Sequence, residues 1–180
     1  EQMLRAAKAG SDHQLQFARN FTSFASSAEH NDLIKELLDA KLSGLKVDAD
    51  LRWTFVIALA ERGLMDKAAL SAELLKDNTL TGSLSHATAL AALPTEQAKS
   101  EVWKSITTEE LSTSQREAKI AGFMRALHRP LLAAYVDPYF DLLLDTWGKK
   151  SYEVASKFVM GMYPTYITTK ETVDKTTTWL

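Results

Sequence analysis

The sequence predicts an all-α fold of stacked antiparallel helix pairs within a single domain, residues 1–180. Helix-breaking residues are few, with seven glycines and four prolines in 180 residues. Apolar residues recur at helical spacing in nearly every segment, whereas the only β-rich stretch, 166–169, is four residues long and lies close to a proline. We therefore expect roughly ten helices of about 9 to 15 residues, joined by short loops.

The first three predicted helices are bounded by capping residues and share an amphipathic pattern. They cover 2–9, 12–26 and 31–42. Gly10 closes the first helix, and the hydroxyl group of Ser11 is suited to cap the second. In the third helix Leu33, Leu37 and Leu38 lie on one side. This apolar face indicates that the third helix packs against a neighbour.

The segment 51–62 predicts the core helix of the fold. Its side chains are apolar nearly all the way round, so we expect it to be buried against several other helices. Either Asp48 or Asp50 is placed to cap its N-terminus, and Gly63 ends it.

The rest of the chain predicts a further series of helices. The first runs from Asp66 to about Lys76, the second covers about 82–92, and the third begins at Thr95. The next runs from Ser112 or Thr113 to near Met124, and two more lie near Pro130 and Pro138. The last two cover 151–163 and about 169 to the end. Pro94 separates two of them. In the helix that follows it, Ala98, Val102, Trp103 and Ile106 form one apolar face. Consecutive amphipathic helices with short loops are typical of an α-solenoid similar to HEAT or armadillo arrays.

Composition excludes several classes of function. The 21 Lys and Arg residues are scattered among 23 Asp and Glu residues, giving a net charge of −2 and no basic stripe for nucleic acid. No apolar run reaches the roughly 20 residues of a membrane span, and no signal peptide is visible. The absence of cysteine fits a reducing compartment. We expect a cytoplasmic protein that binds neither nucleic acid nor membrane.

No motif for catalysis or metal binding is present. The four histidines are His13, His30, His86 and His128, and none is followed by a second histidine four residues later. A helical zinc site needs that spacing because positions i and i+4 share a face. A Gly-x-Ser-x-Gly nucleophile motif and a Gly-rich phosphate loop are also missing. We expect no catalytic residue, no metal ligand and no cofactor in this chain.

Three polar residues remain as candidates for a binding surface: Arg52, Asp77 and Asn78. Arg52 lies inside the most apolar helix. It is predicted either to form a buried ion pair with Asp48 or Asp50, or to line an inner cavity where its guanidinium group could meet a peptide carboxylate. Asp77 and Asn78 lie in a loop that either caps the neighbouring helices or contributes to a binding site.

Many short stretches together resemble one known family. They are 47–53, 59–63, 77–82, 92–94 with Lys99 and Trp103, 111–112, 120–123, 138–140, Trp147, 163–164, 171–173 and 179–180. In this order and spacing they resemble the C-terminal helical domain of M1-family zinc aminopeptidases, from about residue 12 to the end. Within that family the chain resembles the bacterial aminopeptidase N type and is similar to the C-terminal domain of the endoplasmic-reticulum aminopeptidases.

The resemblance implies a non-catalytic role within a larger enzyme. In that family the zinc ion and its His-Glu-x-x-His helix lie in an upstream catalytic domain, so no catalytic or metal-binding residue is carried over to this chain. The C-terminal domain closes over the catalytic cleft and shapes the chamber that admits peptides. The expected partners are therefore the upstream catalytic domain of the same chain and peptide substrates. The chamber candidates are Arg52, Asp77 and Asn78.

Two further expectations concern the chain as a whole. The opening residues 1–8 read as the middle of a helix without an initiator Met, and Trp179 and Leu180 read as a native C-terminus, so we expect a C-terminal fragment of a larger polypeptide. The alternative is a freestanding helical-repeat scaffold that binds protein partners. The scaffold predicts polar faces at both ends, whereas the aminopeptidase domain predicts an apolar face toward the catalytic part.

Overall fold

The computed structural model describes residues 1–179, and within that range the regular structure is helical, with no strand. The predicted all-α fold is confirmed, and sequence-adjacent helices pack against each other in pairs. The chain divides into two compact units, Glu1–Ala89 and Leu90–Leu180. Each unit has its own hydrophobic core. The expectation of a single domain remains a prediction.

The N-terminal unit is built from six helices, the last of which ends just beyond it. They are α1 (Gln2–Ala6), α2 (Asp12–Phe24), α3 (Ala28–Leu38), α4 (Ala49–Glu61), α5 (Lys67–Lys76) and α6 (Leu80–Ala91). The side chains of Ser11, Ser27, Asp48 and Asp66 accept hydrogen bonds from backbone amides in the first turns of α2, α3, α4 and α5. These bonds satisfy amides that have no partner within their own helix.

Helix α4 is the centre of the N-terminal core, as its sequence predicts. Seven of its 13 residues are buried, and they lie on all sides of the helix. Leu51, Phe55 and Leu59 belong to the core cluster that α2 and α3 complete. Asp48 rather than Asp50 is the N-cap, since its carboxylate accepts from the amide of Leu51 at 2.9 Å.

Three predicted boundaries in the N-terminal unit are wrong. Helix α1 ends at Ala6 instead of residue 9, because Ala7 adopts an extended conformation and the chain turns before Ser11. Helix α3 begins at Ala28 instead of residue 31, because the hydroxyl group of Ser27 accepts from the amide of His30 at 3.2 Å and caps the helix there. Helix α3 ends at Leu38 instead of residue 42, because Ala40 adopts a left-handed conformation with φ of 56°.

The C-terminal unit is built from six further helices. They are α7 (Glu96–Thr108), α8 (Thr113–Phe123), α9 (Arg129–Leu132), α10 (Val136–Lys149), α11 (Tyr152–Gly161) and α12 (Lys170–Trp179). Thr95, Ser112 and Ser151 cap α7, α8 and α11. Short 3-10 turns flank α9, so this helix has four residues instead of the predicted length of about 9 to 15. Pro130 lies in its first turn, where a missing N–H group is tolerated.

Aromatic rings fill the core of the C-terminal unit. The ring of Trp103 in α7 lies 5.1 Å from that of Tyr135 and 6.1 Å from that of Phe158, centre to centre. Gly161 lets α11 approach α8, since a Cβ atom at this position would lie 2.9 Å from Cγ2 of Ile120. Close packing of this kind fixes the positions of both helices.

Candidate functional site

Arg52 connects three helices of the N-terminal unit. Its side chain leaves α4 and forms a two-pronged ion pair with Glu73 in α5, with Nε at 2.6 Å from Oε2 and Nη2 at 2.9 Å from Oε1. Its Nη1 atom donates to the carbonyl oxygen of Leu38 at the end of α3, at 3.1 Å. A planar guanidinium group matches this arrangement better than a lysine ammonium group would.

The predicted partners of Arg52 are therefore corrected. The sequence favours an ion pair with Asp48 or Asp50, but the carboxylate that Arg52 contacts is that of Glu73. Asp48 already accepts from the first turn of α4. Asp50 is only two residues before Arg52, and positions i and i+2 do not face each other on a helix.

Glu73 is the most buried member of this ion pair. Its side chain is 9% exposed, compared with 31% for Arg52, and it also accepts from Lys76 at 2.7 Å. Burial alone would raise the pKa of Glu73, but the hydrogen bonds and charges of Arg52 and Lys76 outweigh it and hold the pKa below its ordinary value. Glu73 is therefore ionised at neutral pH and neutralised by two cations.

Asp77 organises the loop between α5 and α6. One oxygen of its carboxylate accepts from Nε1 of the buried Trp53 at 2.8 Å, and the other accepts from the hydroxyl group of Thr79 at 2.8 Å. These two bonds, with that of Thr79 first, lower the pKa of Asp77. Gly82 packs directly beneath the loop, where any Cβ atom would collide with the carbonyl oxygen of Asp77. The loop conformation therefore depends on glycine at this position.

The three sequence candidates thus differ in what they offer a ligand. Arg52 is paired with Glu73 and connects α4 to α5. Asp77 is bonded to Trp53 and connects the loop after α5 to α4. Asn78 is exposed at the loop's tip. The arrangement is suited to hold a rigid polar loop on a packed helix pair, with Asn78 as its accessible contact.

His86 lies beside Trp53 in the same unit and was not singled out by the sequence. Their rings are 6.4 Å apart in an edge contact. The Nε2 atom of His86 is buried without a hydrogen-bond partner in the described part of the chain. Burial lowers its pKa, so the neutral imidazole is favoured in the folded state.

Sequence reasoning also missed a role that four cations share, and we name them the carbonyl-capping cations. Each donates to backbone carbonyl oxygens at the end of another helix, and the group comprises Arg52, Arg62, Lys99 and Arg116. Lys99 is fully buried, and its Nζ atom lies 2.7 Å from the oxygen of Ala91 and 3.1 Å from that of Phe123. Cations are stabilised at helix C-termini by the helix dipole.

The described residues supply no metal centre and no membrane-spanning helix. Across 1–179, no three His, Asp or Glu residues lie close enough together to hold a metal ion. None of the helices in that range is long and apolar enough to cross a bilayer.

Comparison with known proteins identifies the family of this chain. The family model described as "ERAP1-like C-terminal domain" matches residues 2–180. A protein from Streptomyces lividans named "Aminopeptidase N" is 44% identical over 180 residues, and the alignment covers 98% of this chain. The chain spans 21% of the length of that relative.

Proposed function

The chain belongs to the ERAP1-like C-terminal domain family, and from this we propose that it is the non-catalytic C-terminal domain of an M1-type zinc aminopeptidase that shortens peptides from their N-termini. The observation that carries the proposal is the match along nearly the whole chain to one fifth of a protein named "Aminopeptidase N". The remaining four fifths of such a protein would contain the catalytic domain.

The zinc ion belongs, in this proposal, to the upstream catalytic domain. The donor groups of the described residues do not fit a zinc site, because no three of them converge. The histidine spacing of the full sequence agrees with this assignment. Zinc would activate the water that attacks the peptide bond. This chain would contribute by enclosing the substrate and excluding folded proteins.

We place the loop 77–79 on the wall of the substrate chamber. The exposed amide group of Asn78 would contact the peptide, and Asp77 would keep the loop rigid through its bond to Trp53. Arg52 is 31% exposed while paired with Glu73, so one edge of its guanidinium group could still meet a peptide carboxylate. Rigid positioning of this kind lowers the entropy that the loop itself must lose when a peptide binds.

Exposed apolar side chains support docking onto the upstream catalytic domain. In the N-terminal unit the large exposed residues are Met3, Phe24, Leu64, Leu75 and Leu80. Leu75 and Leu80 are 84% and 78% exposed and flank the loop 77–79. These two exposed leucines, one on each side of the loop, would give the catalytic domain an apolar contact. We also propose a cytoplasmic location, which rests on the absence of cysteine from the sequence.

The test compares the isolated chain with the whole enzyme. The 180-residue chain should fold as a helical protein and hydrolyse no aminoacyl substrate, with or without added zinc. In the whole enzyme, Asn78→Ala should raise KM for peptides of several residues by roughly threefold, the value of one lost hydrogen bond. KM for a single-residue chromogenic substrate should not change.

Two outcomes would contradict the proposal. Zinc-dependent turnover by the pure 180-residue chain would place catalysis within it. An immunoblot that finds the native polypeptide at the mass of this chain alone would favour the freestanding scaffold.

A further inference from the structure

An open groove lies between helices α10 and α12 of the C-terminal unit. Its volume is about 860 Å³, within the range of pockets that bind ligands of several hundred daltons. Three large apolar side chains line it: Phe140 and Leu144 from α10, and Trp179 from α12. Leu144 is 73% exposed and Trp179 is 39% exposed, so their apolar surfaces face solvent.

The polar walls of the groove carry more negative than positive charge. Four carboxylates and two ammonium groups line it: Asp137, Asp141, Glu171 and Asp174 against Lys170 and Lys175. The surplus is therefore two negative charges.

The two ammonium groups of the groove are already engaged by its own carboxylates. Lys175 bonds to both Asp137 and Glu171, and Lys170 bonds to Asp174 at 2.5 Å. Asp141 forms no ion pair within residues 1–179. It lies one turn from Leu144 on the same face of α10. A carboxylate that no protein cation neutralises thus lies beside the exposed apolar surface.

This combination selects the chemistry of an occupant. A nucleic acid or an anionic lipid surface would be repelled by the surplus carboxylates. A purely apolar segment would leave the charge of Asp141 without a partner. A peptide segment that presents a lysine or arginine beside large apolar side chains satisfies both features, because its cation can face Asp141 while its apolar groups cover Leu144 and Trp179.

We propose that the α10–α12 groove is a docking site for a basic amphipathic peptide segment. Asp141 is the residue that selects its positive charge, and Leu144 supplies the apolar contact. The proposal rests on the groove alone and does not depend on the function proposed above.

The test measures binding of a labelled peptide to the full-length protein by fluorescence anisotropy. The probe is a twelve-residue peptide with lysine and leucine at helical spacing, acetylated at its N-terminus so that an aminopeptidase cannot shorten it. We expect saturable binding. Asp141→Asn should weaken it roughly threefold, as expected for one exposed charge pair, and Leu144→Ala roughly tenfold through lost apolar contact. Higher salt should weaken binding to the unmodified protein more than to Asp141→Asn.

Matched controls keep the result interpretable. Asp145 lies one turn further along α10 and pairs with Lys149, outside the groove lining, so Asp145→Asn should leave the affinity unchanged. Met160 in α11 is 79% exposed and also lies outside the lining, so Met160→Ala should do the same. Circular dichroism would show that all four variants keep their helix content.

Three results would overturn the proposal. One is failure of the peptide to bind at millimolar concentration. Another is equal binding of a peptide in which glutamate replaces every lysine. The third is binding that Asp141→Asn and Leu144→Ala weaken no more than their controls do. A chromogenic aminopeptidase assay on the same variants reads the proposed function separately, since none of the four positions is assigned to the chamber.

Discussion

The indole nitrogen of Trp53 donates a 2.8 Å hydrogen bond to the carboxylate of Asp77, which connects the core helix α4 to the loop before α6. Trp53 is 4% exposed, so its indole N–H group depends on Asp77 rather than on water as its acceptor. The same carboxylate also holds Thr79, whose hydroxyl group accepts from the amide of Gly82 at 2.9 Å. One buried ring therefore sets the geometry of the candidate loop.

Trp53→Phe should destabilise the protein by about 1–3 kcal/mol. The substitution removes the donor to Asp77 and part of the buried ring, while the smaller ring still fills most of the site. Urea unfolding followed by circular dichroism measures the change. Trp147→Phe is the matched control because Trp147 is 50% exposed, and it should change the free energy of unfolding by less than 0.5 kcal/mol, about the usual range for surface positions. Equal effects of the two substitutions would contradict the role assigned to Trp53.

Glu73→Gln should destabilise the protein at pH 7 and have little effect in acid. The pKa of Glu73 is held below its ordinary value of 4.5 in the folded state. When folding lowers the pKa of a carboxyl group, the resulting stabilisation is complete above the pKa of that group in the unfolded chain. It is lost as the pH falls through the lower pKa of the group in the folded protein. The cost at pH 7 should be about 1–3 kcal/mol, since Arg52 and Lys76 remain partly solvated.

The measurement is urea unfolding of Glu73→Gln and the unmodified protein from pH 7 to pH 3. The difference between them should shrink below about pH 4.5, the ordinary pKa of the group. Glu36→Gln serves as the control, because the Glu36 side chain is 51% exposed and its nearest cation is 3.8 Å away. A difference that stays constant down to pH 3 would show that Glu73 acts through packing alone.

His86 should make the folded state sensitive to mild acid. Burial lowers its pKa below the ordinary value of 6.5, so the unfolded chain binds the proton more readily than the folded protein does. Stability due to the neutral imidazole is complete above about pH 6.5 and declines as pH falls toward the folded pKa. His86→Phe should flatten the decline in unfolding free energy between neutral pH and pH 5.5. A decline of the same slope in His86→Phe and in the unmodified protein would contradict this role for His86.

Lys99→Met should be among the most damaging single substitutions in the C-terminal unit. Methionine keeps most of the side-chain volume but leaves the carbonyl oxygens of Ala91 and Phe123 without their buried donor. We expect a loss of about 2–4 kcal/mol, measured by urea unfolding. Lys104→Met on the exposed side of the same helix is the control and should be nearly neutral. A tolerated Lys99→Met would mean that Lys99 contributes only its alkyl chain.

The parts of the fold that local chemistry controls were predictable from sequence. The cap at Ser11, the helix starts at Asp66 and Thr95 and the central place of α4 are confirmed, because each depends on residues within one or two turns. The family resemblance is confirmed by the family match over residues 2–180. The boundaries of α1 and α3 are wrong where a competing turn or cap lies within three residues of the predicted one.

The candidate site was predictable only in part. The position of Arg52 within an apolar helix indicates an ion pair, but its partner Glu73 lies 21 residues away and is brought close only by the fold. Asp77 carries no local signal that it accepts from a tryptophan in another helix. The roles proposed for Arg52, Asp77 and Asn78 in a substrate chamber remain predictions.

The carbonyl-capping cations have a consequence for how such domains diverge. Arg62 and Lys99 bind backbone oxygens, which every residue type provides, so the bond itself does not depend on the side-chain identity of Ala25 or Ala91. Natural variation should therefore leave no compensating pair of substitutions at these contacts, and covariation between columns of an alignment would not detect them. In this domain such interhelical connections are invisible to coevolution and must be found in three dimensions.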